Sequence, residues 1–273
     1  AGQINGTSGY EEAAAQGFLA GVNAAHKILD REEFILDRDK AYMGVLVDDL
    51  VTKGTREPYR MFTSRAEHRL VLREDNTIDR LCYTSRKLGI TSSKNLDHFQ
   101  EIVFKRKEML QRLEDTFIYP KAETNALVHA LGSKPLLKPL RLTEFLRRPE
   151  VAFAALNSLG FEYDNNCDVV DAVEIEVKYS GYIKKQNQII EQTRGFELAL
   201  LPSAIDYSQI KGLSSEEVDK LTRIRPRTLG QAQRISGVNP SALQAIMVYL
   251  KGHKLINKEL ANFQRHPMGA DLA

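Results

Sequence analysis

From Asp75 onward, apolar residues recur at the three-to-four spacing of helices rather than the alternation of strands, which confines most of the chain to a mainly α architecture. Ile78 to Leu88 stops at Gly89, a residue suited to the left-handed conformation that ends a helix. Leu96, Phe99, Val103, Leu110 and Leu113 fall on one stripe, with Lys105, Arg106 and Lys107 expected on its solvated face. Lys134 to Pro139, with two prolines, predicts a linker; Thr143 to Arg148 reads as a short helix, and Pro149 opens another that Gly160 stops. Val173, Ile175, Val177 and Tyr179 alternate as in a strand, yet continuation through Ile183, Ile189 and Ile190 favours one long helix from Asp168 to Gln192. Leu201-Pro202 breaks that pattern and predicts a nearby domain boundary.

The last segment, Tyr207 to Lys251, predicts three short helices. Ser214 with Glu217 forms a capping box, Thr228 caps the next helix, and Gly237 with Asn239-Pro240 turns into the third. Leu229, Ala232, Ile235, Val238, Leu243, Ile246 and Met247 would fill a small core. Such helices resemble a helix-turn-helix, so a DNA-binding protein is one reading. The last helix, however, offers only Gln244 as a reader of base edges, and a protein-docking module suits its apolar surface better.

The N-terminus is different in kind. Gly2, Gly6 and Gly9 permit close backbone approach, Thr7 and Ser8 are hydroxyls of the sort that cap a helix, and Glu11 and Glu12 suit its first turn. Ala13, Gly17, Gly21 and Ala24 or Ala25 leave one side of the helix, from Tyr10 to about Ala25, nearly bare, as if to pack on a backbone or a flat ring. Free amides at the helix start suit an anion or a polarised carbonyl; a glycine-rich loop leading into a tightly packed core helix is the equal alternative. Nothing precedes this loop for it to hang from, so the chain is expected to be a fragment.

Net charge is only +2, but residues 53–73 hold six permanent cations, Lys53, Arg56, Arg60, Arg65, Arg69 and Arg73, against Glu57 and Glu67. A capping box at Ser64 and Glu67 would start a helix with Arg65, Arg69 and Arg73 on one face, suited to phosphates, while Tyr59 and Phe62 stack on an unpaired base. A solvated face paired to Glu67 and Glu74 is the plain alternative. His68 lacks metal-ligand partners, Cys82 and Cys167 have no metal or disulfide spacing, and adjacent Asp48 and Asp49 point about 100° apart, which rules out a shared-proton dyad. With 42% hydrophobic residues the chain can fill two cores. Neither a signal peptide nor a run of about 18 apolar residues occurs, so a cytoplasmic, non-membrane protein is expected.

Several motifs, in order, resemble the MnmG/GidA family, the large FAD-binding subunit of the tRNA uridine 5-carboxymethylaminomethyl modification enzyme. They are Ala1 to Gly21, Ala41 to Leu50, Arg56 to Glu67, Val173 to Tyr179 with Gly181-Tyr182-Ile183, Leu201-Pro202, and Gly230 to Val238. The resemblance covers residues 1 to about 252 and implies three parts: the C-terminal end of an FAD-binding α/β domain (1–50), a helical domain with the basic tRNA-contacting segment (51–205), and a small C-terminal helical bundle with a tail (206–273). It implies that FAD lies on Gly2, Gln3, Asn5, Gly6, Gly9, Tyr10 and Glu11, and that tRNA meets Lys53, Arg56, Arg60, Arg65, Arg69 and Arg73. The implied reaction adds an aminomethyl-type group to C5 of the wobble uridine, with carbon from methylenetetrahydrofolate, nitrogen from glycine or ammonia, and NADH as reductant. A homodimer and a GTPase partner, MnmE, docking on the C-terminal bundle are also implied. No catalytic residue is identified. A G-x-G-x-x-G fingerprint is missing, so the dinucleotide-binding half is expected to precede residue 1, and the chain alone to be inactive and a poor flavin binder.

Overall fold

A computed structural model describes residues 1–55 and 57–253; Arg56 and the tail from 254 lie outside the described residues. The chain divides into two compact units. One comprises residues 1–69 with the described residues from 187 onward, and the other residues 70–186.

The first unit opens with a single 3-10 turn, Gly2–Asn5, closed by Gly6 at φ +78°. Helix α1 (Tyr10–Ile28) starts from Gly9 with Glu11 and Glu12 in its first turn. Neither Thr7 nor Ser8 caps it. The Thr7 hydroxyl accepts from Gln16 Nε2 at 3.0 Å, and the Ser8 amide donates to the Tyr59 carbonyl at 2.9 Å, so both residues serve the loop instead. Along the small-residue side of α1, Gly17 and Gly21 are exposed, and a Cβ at either would meet nothing among the described residues. Helix α2 (Tyr42–Thr52) follows, held close by Gly44, where a Cβ would overlap the carbonyls of Leu36 and Asp37.

The helix expected from Ser64 does not form. Thr63–Arg65 is one 3-10 turn and Ala66 is extended. Glu67, the intended second half of a capping box, is taken instead by the guanidinium of Arg38 at 2.7 and 2.8 Å, and a charge-assisted fork outweighs a single backbone bond.

The second unit packs α3 (Thr77–Leu88) and α4 (Ser93–Asp115) with a two-residue antiparallel ladder, β1 (Phe117–Ile118) on β2 (Leu140–Arg141). Between the strands lies α5 (Ala122–Ala130), and after them come α6 (Leu142–Leu146), α7 (Ala155–Ser158) and most of α8 (Cys167–Leu198). Gly89 ends α3 at φ +69° as expected, and α8 is one continuous helix rather than a strand. The core contains Leu113, Val128, Phe145, Leu146, Phe153, Leu156 and Val173.

Three local expectations are corrected here. The segment expected to be a linker is a pinned loop: Asn125 bonds both the amide and the carbonyl of Leu136, which is buried. No helix runs from Pro149 to Gly160, because the Phe153 amide is diverted to the Glu174 carboxylate at 2.9 Å and only α7 remains. Arg106 is buried rather than solvated, donating to the Asp168 carbonyl and to Asp79.

The terminal part of the first unit is a bundle of a 3-10 turn (Tyr207–Gln209), α9 (Ser215–Ile224), α10 (Leu229–Arg234) and α11 (Pro240–Gly252). Two caps match the sequence: Ser214 and Glu217 form the reciprocal box, and Thr228 accepts from Gln231; Asn239, read from the sequence only as part of a turn, accepts from Ala242. Leu221, Leu229, Ala232, Ile246 and Leu250 are fully buried. The units do not divide at Leu201-Pro202, the boundary expected between 205 and 206. The Leu201 amide donates to Arg227, and the Leu229 amide to Ala199, so backbone bonds stitch this segment into the bundle.

Candidate functional site

The loop before α1 is organised by one side chain that the motif reading passes over. Gln16 Oε1 accepts from the Gly2 amide at 3.2 Å and from Asn5 Nδ2 at 2.9 Å, while its Nε2 donates to Thr7. Gly2 (φ +80°) and Gly6 (φ +78°) occupy the left-handed region, which lets the chain reverse within four residues and return to Tyr59; the Tyr59 amide donates to the Gly6 carbonyl at 2.7 Å. Gly9 is different. At φ −106° and ψ 152° its backbone suits any residue, but a Cβ there would overlap the Glu12 carboxylate.

Glu12 is the second residue the sequence reading missed. It is 4% exposed; Oε1 accepts the Met61 amide at 2.7 Å, and Oε2 is buried with no hydrogen-bond partner among the described residues. The Met61 amide, helped by the carboxyl's own backbone amide and then by Arg60, holds this carboxyl below the usual carboxylate range against the opposing effect of burial, so it stays charged. A buried charged oxygen without a donor is costly, and it makes this position receptive to an N–H or O–H from outside the chain. Glu11, Glu12, Tyr42, Arg60 and Met61 border a groove of about 510 Å³. Of the residues assigned to the cofactor, Gly2, Asn5 and Gly6 are bonded into the loop, Gly9 and Glu11 flank the helix start, and Gln3 and Tyr10 are exposed, Tyr10 at 93%.

Behind the loop lies a buried charge network. Arg38, 7% exposed, forks onto Glu67 and reaches Asp48 at 3.0 Å and Asp49 at 2.8 Å. Asp49 also accepts from Lys53 and from the Tyr59 hydroxyl, and Asp48 accepts from Arg234 and Gln231 of α10. The two aspartates share Arg38 Nη1 as a donor and are otherwise held by different partners. Burial works against charge on Asp49, but Lys53 and Arg38 hold its pKa down. Glu67 behaves alike: burial raises it, and the Arg38 fork brings it to about 2. Burial and then Asp49 push the Tyr59 hydroxyl upward, so it remains a donor.

The six expected RNA-contacting cations separate. Arg56 lies outside the described residues. Arg60 and Arg69 are exposed, and Arg65 is exposed with its guanidinium 4.2 Å over the Tyr59 ring. Lys53 pairs with Asp49 at 2.8 Å. Arg73 is committed internally to Asp75, to the Leu70 carbonyl and to Glu176, and Arg65, Arg69 and Arg73 do not share a helix face because no helix spans them. Tyr59 is 5% exposed and cannot stack on a base, whereas Phe62 is 55% exposed. On the bundle, Ile210, Ala245, Val248 and Tyr249 border a separate groove of about 490 Å³. Among the described residues no cluster of metal ligands occurs, and no helix is long and apolar enough to cross a membrane.

Comparison with known proteins agrees with this architecture. Residues 93–187 match the tRNA modifying enzyme MnmG/GidA C-terminal helical domain, residues 189–269 the MnmG/GidA C-terminal helical bundle, and residues 1–32 glucose inhibited division protein A. The tRNA uridine 5-carboxymethylaminomethyl modification enzyme MnmG of Bdellovibrio bacteriovorus is 60% identical over 258 residues, 94% of this chain and 40% of the relative. That of Caldicellulosiruptor saccharolyticus is 48% identical over 259 residues, 93% of this chain and 41% of the relative. The solved structure of Aquifex aeolicus GidA superposes with a TM-score of 0.80 at 36% identity, covering 92% of this chain and 39% of that one. The chain therefore spans about two fifths of the length of the relatives it matches, and these matches support the MnmG reading rather than a DNA-binding protein. A mostly helical chain with the motifs, domain order and fold of those proteins belongs to the MnmG/GidA family, in its C-terminal part.

Proposed function

We propose that this chain supplies one wall of a flavin pocket, part of a tRNA surface and a partner-docking end to an enzyme that adds a carboxymethylaminomethyl or aminomethyl group to C5 of the wobble uridine. The observation that carries the flavin part is the Glu12 carboxylate: buried, charged, missing one donor, and set beside a glycine that keeps the helix start open. FAD fits this arrangement because it offers N–H and O–H donors on a planar body that needs close backbone approach. When bound, it supplies redox chemistry, taking reducing equivalents from NADH. The chain's own part is to hold the Gly2 to Gly6 turn rigid through Gln16, to present the α1 amides, and to keep Glu12 ionised.

Arg60, Arg65 and Arg69 are exposed cations that would meet tRNA phosphates, Arg65 from its seat over the Tyr59 ring, where its Nε donates to the Arg60 carbonyl, with Phe62 nearby in the chain. The groove at Val248 and Tyr249 is the proposed seat of the GTPase partner MnmE. Homodimerisation and a cytoplasmic setting accompany this reading by kinship with the family. The test is a full-length chimera joining this chain to the N-terminal part of the Bdellovibrio relative. It would be supplied with FAD, NADH, methylenetetrahydrofolate, glycine or ammonium, tRNA and the GTPase, and the tRNA digested for nucleoside mass spectrometry. A C5-modified wobble uridine supports the proposal; unmodified tRNA from a chimera that holds flavin reducible by NADH overturns it.

A further inference from the structure

Helix α8 changes character midway. Its first turns carry Asp168, Asp171, Glu174 and Glu176, whereas residues 177–190 contain Lys178, Lys184 and Lys185 and no acidic residue. At about 100° per residue, Lys178, Tyr182 and Lys185 share one face, with Tyr179 and Gly181 at its borders. Val173, Val177 and Ile183, which are buried, lie on the opposite side.

Tyr179 is 47% and Tyr182 66% exposed, and their rings stand 6.4 Å apart at 50° to one another. Lys178 is tethered by Glu174 at 3.0 Å, while Lys184 and Lys185 are exposed. Gly181 sits in the interior of a 32-residue helix, where glycine costs stability relative to alanine, yet a Cβ there would meet nothing within 4 Å. No packing demand explains it. Its effect is to leave bare backbone beside two exposed rings, so that a flat object can lie against the helix.

We propose that this face of α8 binds unpaired RNA, with bases stacked on Tyr182 and Tyr179 and phosphates on Lys185 and Lys178. Exposed aromatic faces beside cations favour single strands, because duplex bases are already stacked on one another. The proposal rests on the tRNA reading above and adds residues of α8 to it.

The test uses the full chain and fluorescence anisotropy with a labelled tRNA, an anticodon stem-loop RNA and a blunt duplex RNA. Replacing Tyr179 and Tyr182 together by alanine is expected to weaken stem-loop binding about tenfold or more, from stacking losses of about 1–3 kcal/mol per base, with little change for the duplex. Tyr179→Phe with Tyr182→Phe should keep the affinity. Lys185→Ala should flatten the logarithmic salt slope by about 0.7, at about 0.7 per phosphate contact. Gly181→Leu should weaken binding while raising helix stability, which a merely structural role would not do. Tyr119→Ala, an exposed tyrosine elsewhere, serves as the control. Wild-type binding with unchanged affinity in the tyrosine variant, or an equal loss for duplex, overturns the α8 face alone; no RNA binding by the wild type overturns the tRNA reading together with it.

Discussion

At residue scale, two side chains decide what the N-terminal loop can do. Gln16 satisfies a backbone amide, an amide side chain and a hydroxyl at once, and Glu12 leaves one buried oxygen without a donor among the described residues. Gly9→Val in the full-length chimera is expected to lower flavin occupancy. The cause is not backbone strain, since valine adopts the Gly9 angles readily, but displacement of the Glu12 carboxylate from the Met61 amide. Absorbance of bound flavin per protein after desalting is the measurement, and full occupancy would remove Glu12 from the pocket. Glu67 gives a second prediction. Its pKa lies near 2 in the fold against an ordinary 4.5, so its contribution is fully present above about pH 4.5 and is lost as pH falls toward 2. Glu67→Gln should therefore destabilise at pH 7, by about 1 kcal/mol given that the carboxylate is 42% exposed and screened, and the gap from wild type in urea melts should narrow at pH 3.

At the scale of elements, local signals succeed where nothing competes with them. The box at Ser214 and Glu217 and the cap at Thr228 form as their spacing requires. The equivalent spacing at Ser64 and Glu67 fails because Arg38, 29 residues earlier, offers Glu67 a fork. The cationic segment consequently presents arginines from a turn and a loop rather than from a helix face. Replacing Arg60, Arg65 and Arg69 by alanine should lower tRNA affinity and reduce the salt slope by about 2.7, at about 0.9 per phosphate contact on duplex regions. Arg73→Ala should leave that slope unchanged and lower the melting temperature instead, since Arg73 is held by Asp75 and Glu176. Filter-binding titrations with matching thermal melts separate the two effects, and a flattened slope in the Arg73 variant would return it to the RNA surface.

At the scale of the molecule, the terminal bundle has its own core but is not an independent appendage. Arg234 of α10 reaches Asp48 of α2 and Glu197 at the end of α8, all within one compact unit. Deleting residues 207–273 would strand Asp48 beside Arg38 without its second cation, so the deletion tests stability as much as partner docking. Arg234→Ala is expected to cost about 3–5 kcal/mol, because it leaves a buried carboxylate partly unpaired. Chemical denaturation is the check, and a loss under 1 kcal/mol would show that Asp48 is adequately held by Arg38 and Gln231. For docking itself, Val248→Glu, at a 68% exposed position, disturbs the groove while leaving that network intact. It should abolish co-elution with the GTPase without changing the melt.

The mainly helical class, the continuous α8, the capped terminal helices and the family motifs were all legible in the order of residues, since periodicity, caps and glycine stops act within a few positions. The fate of the charges was not. Whether Glu67 caps or pairs, whether Arg73 and Arg106 face solvent and whether Tyr59 can stack depend on groups brought together from as far as 103 residues away. Ion pairs and orphaned oxygens are set by such distances and by burial, which no local spacing encodes.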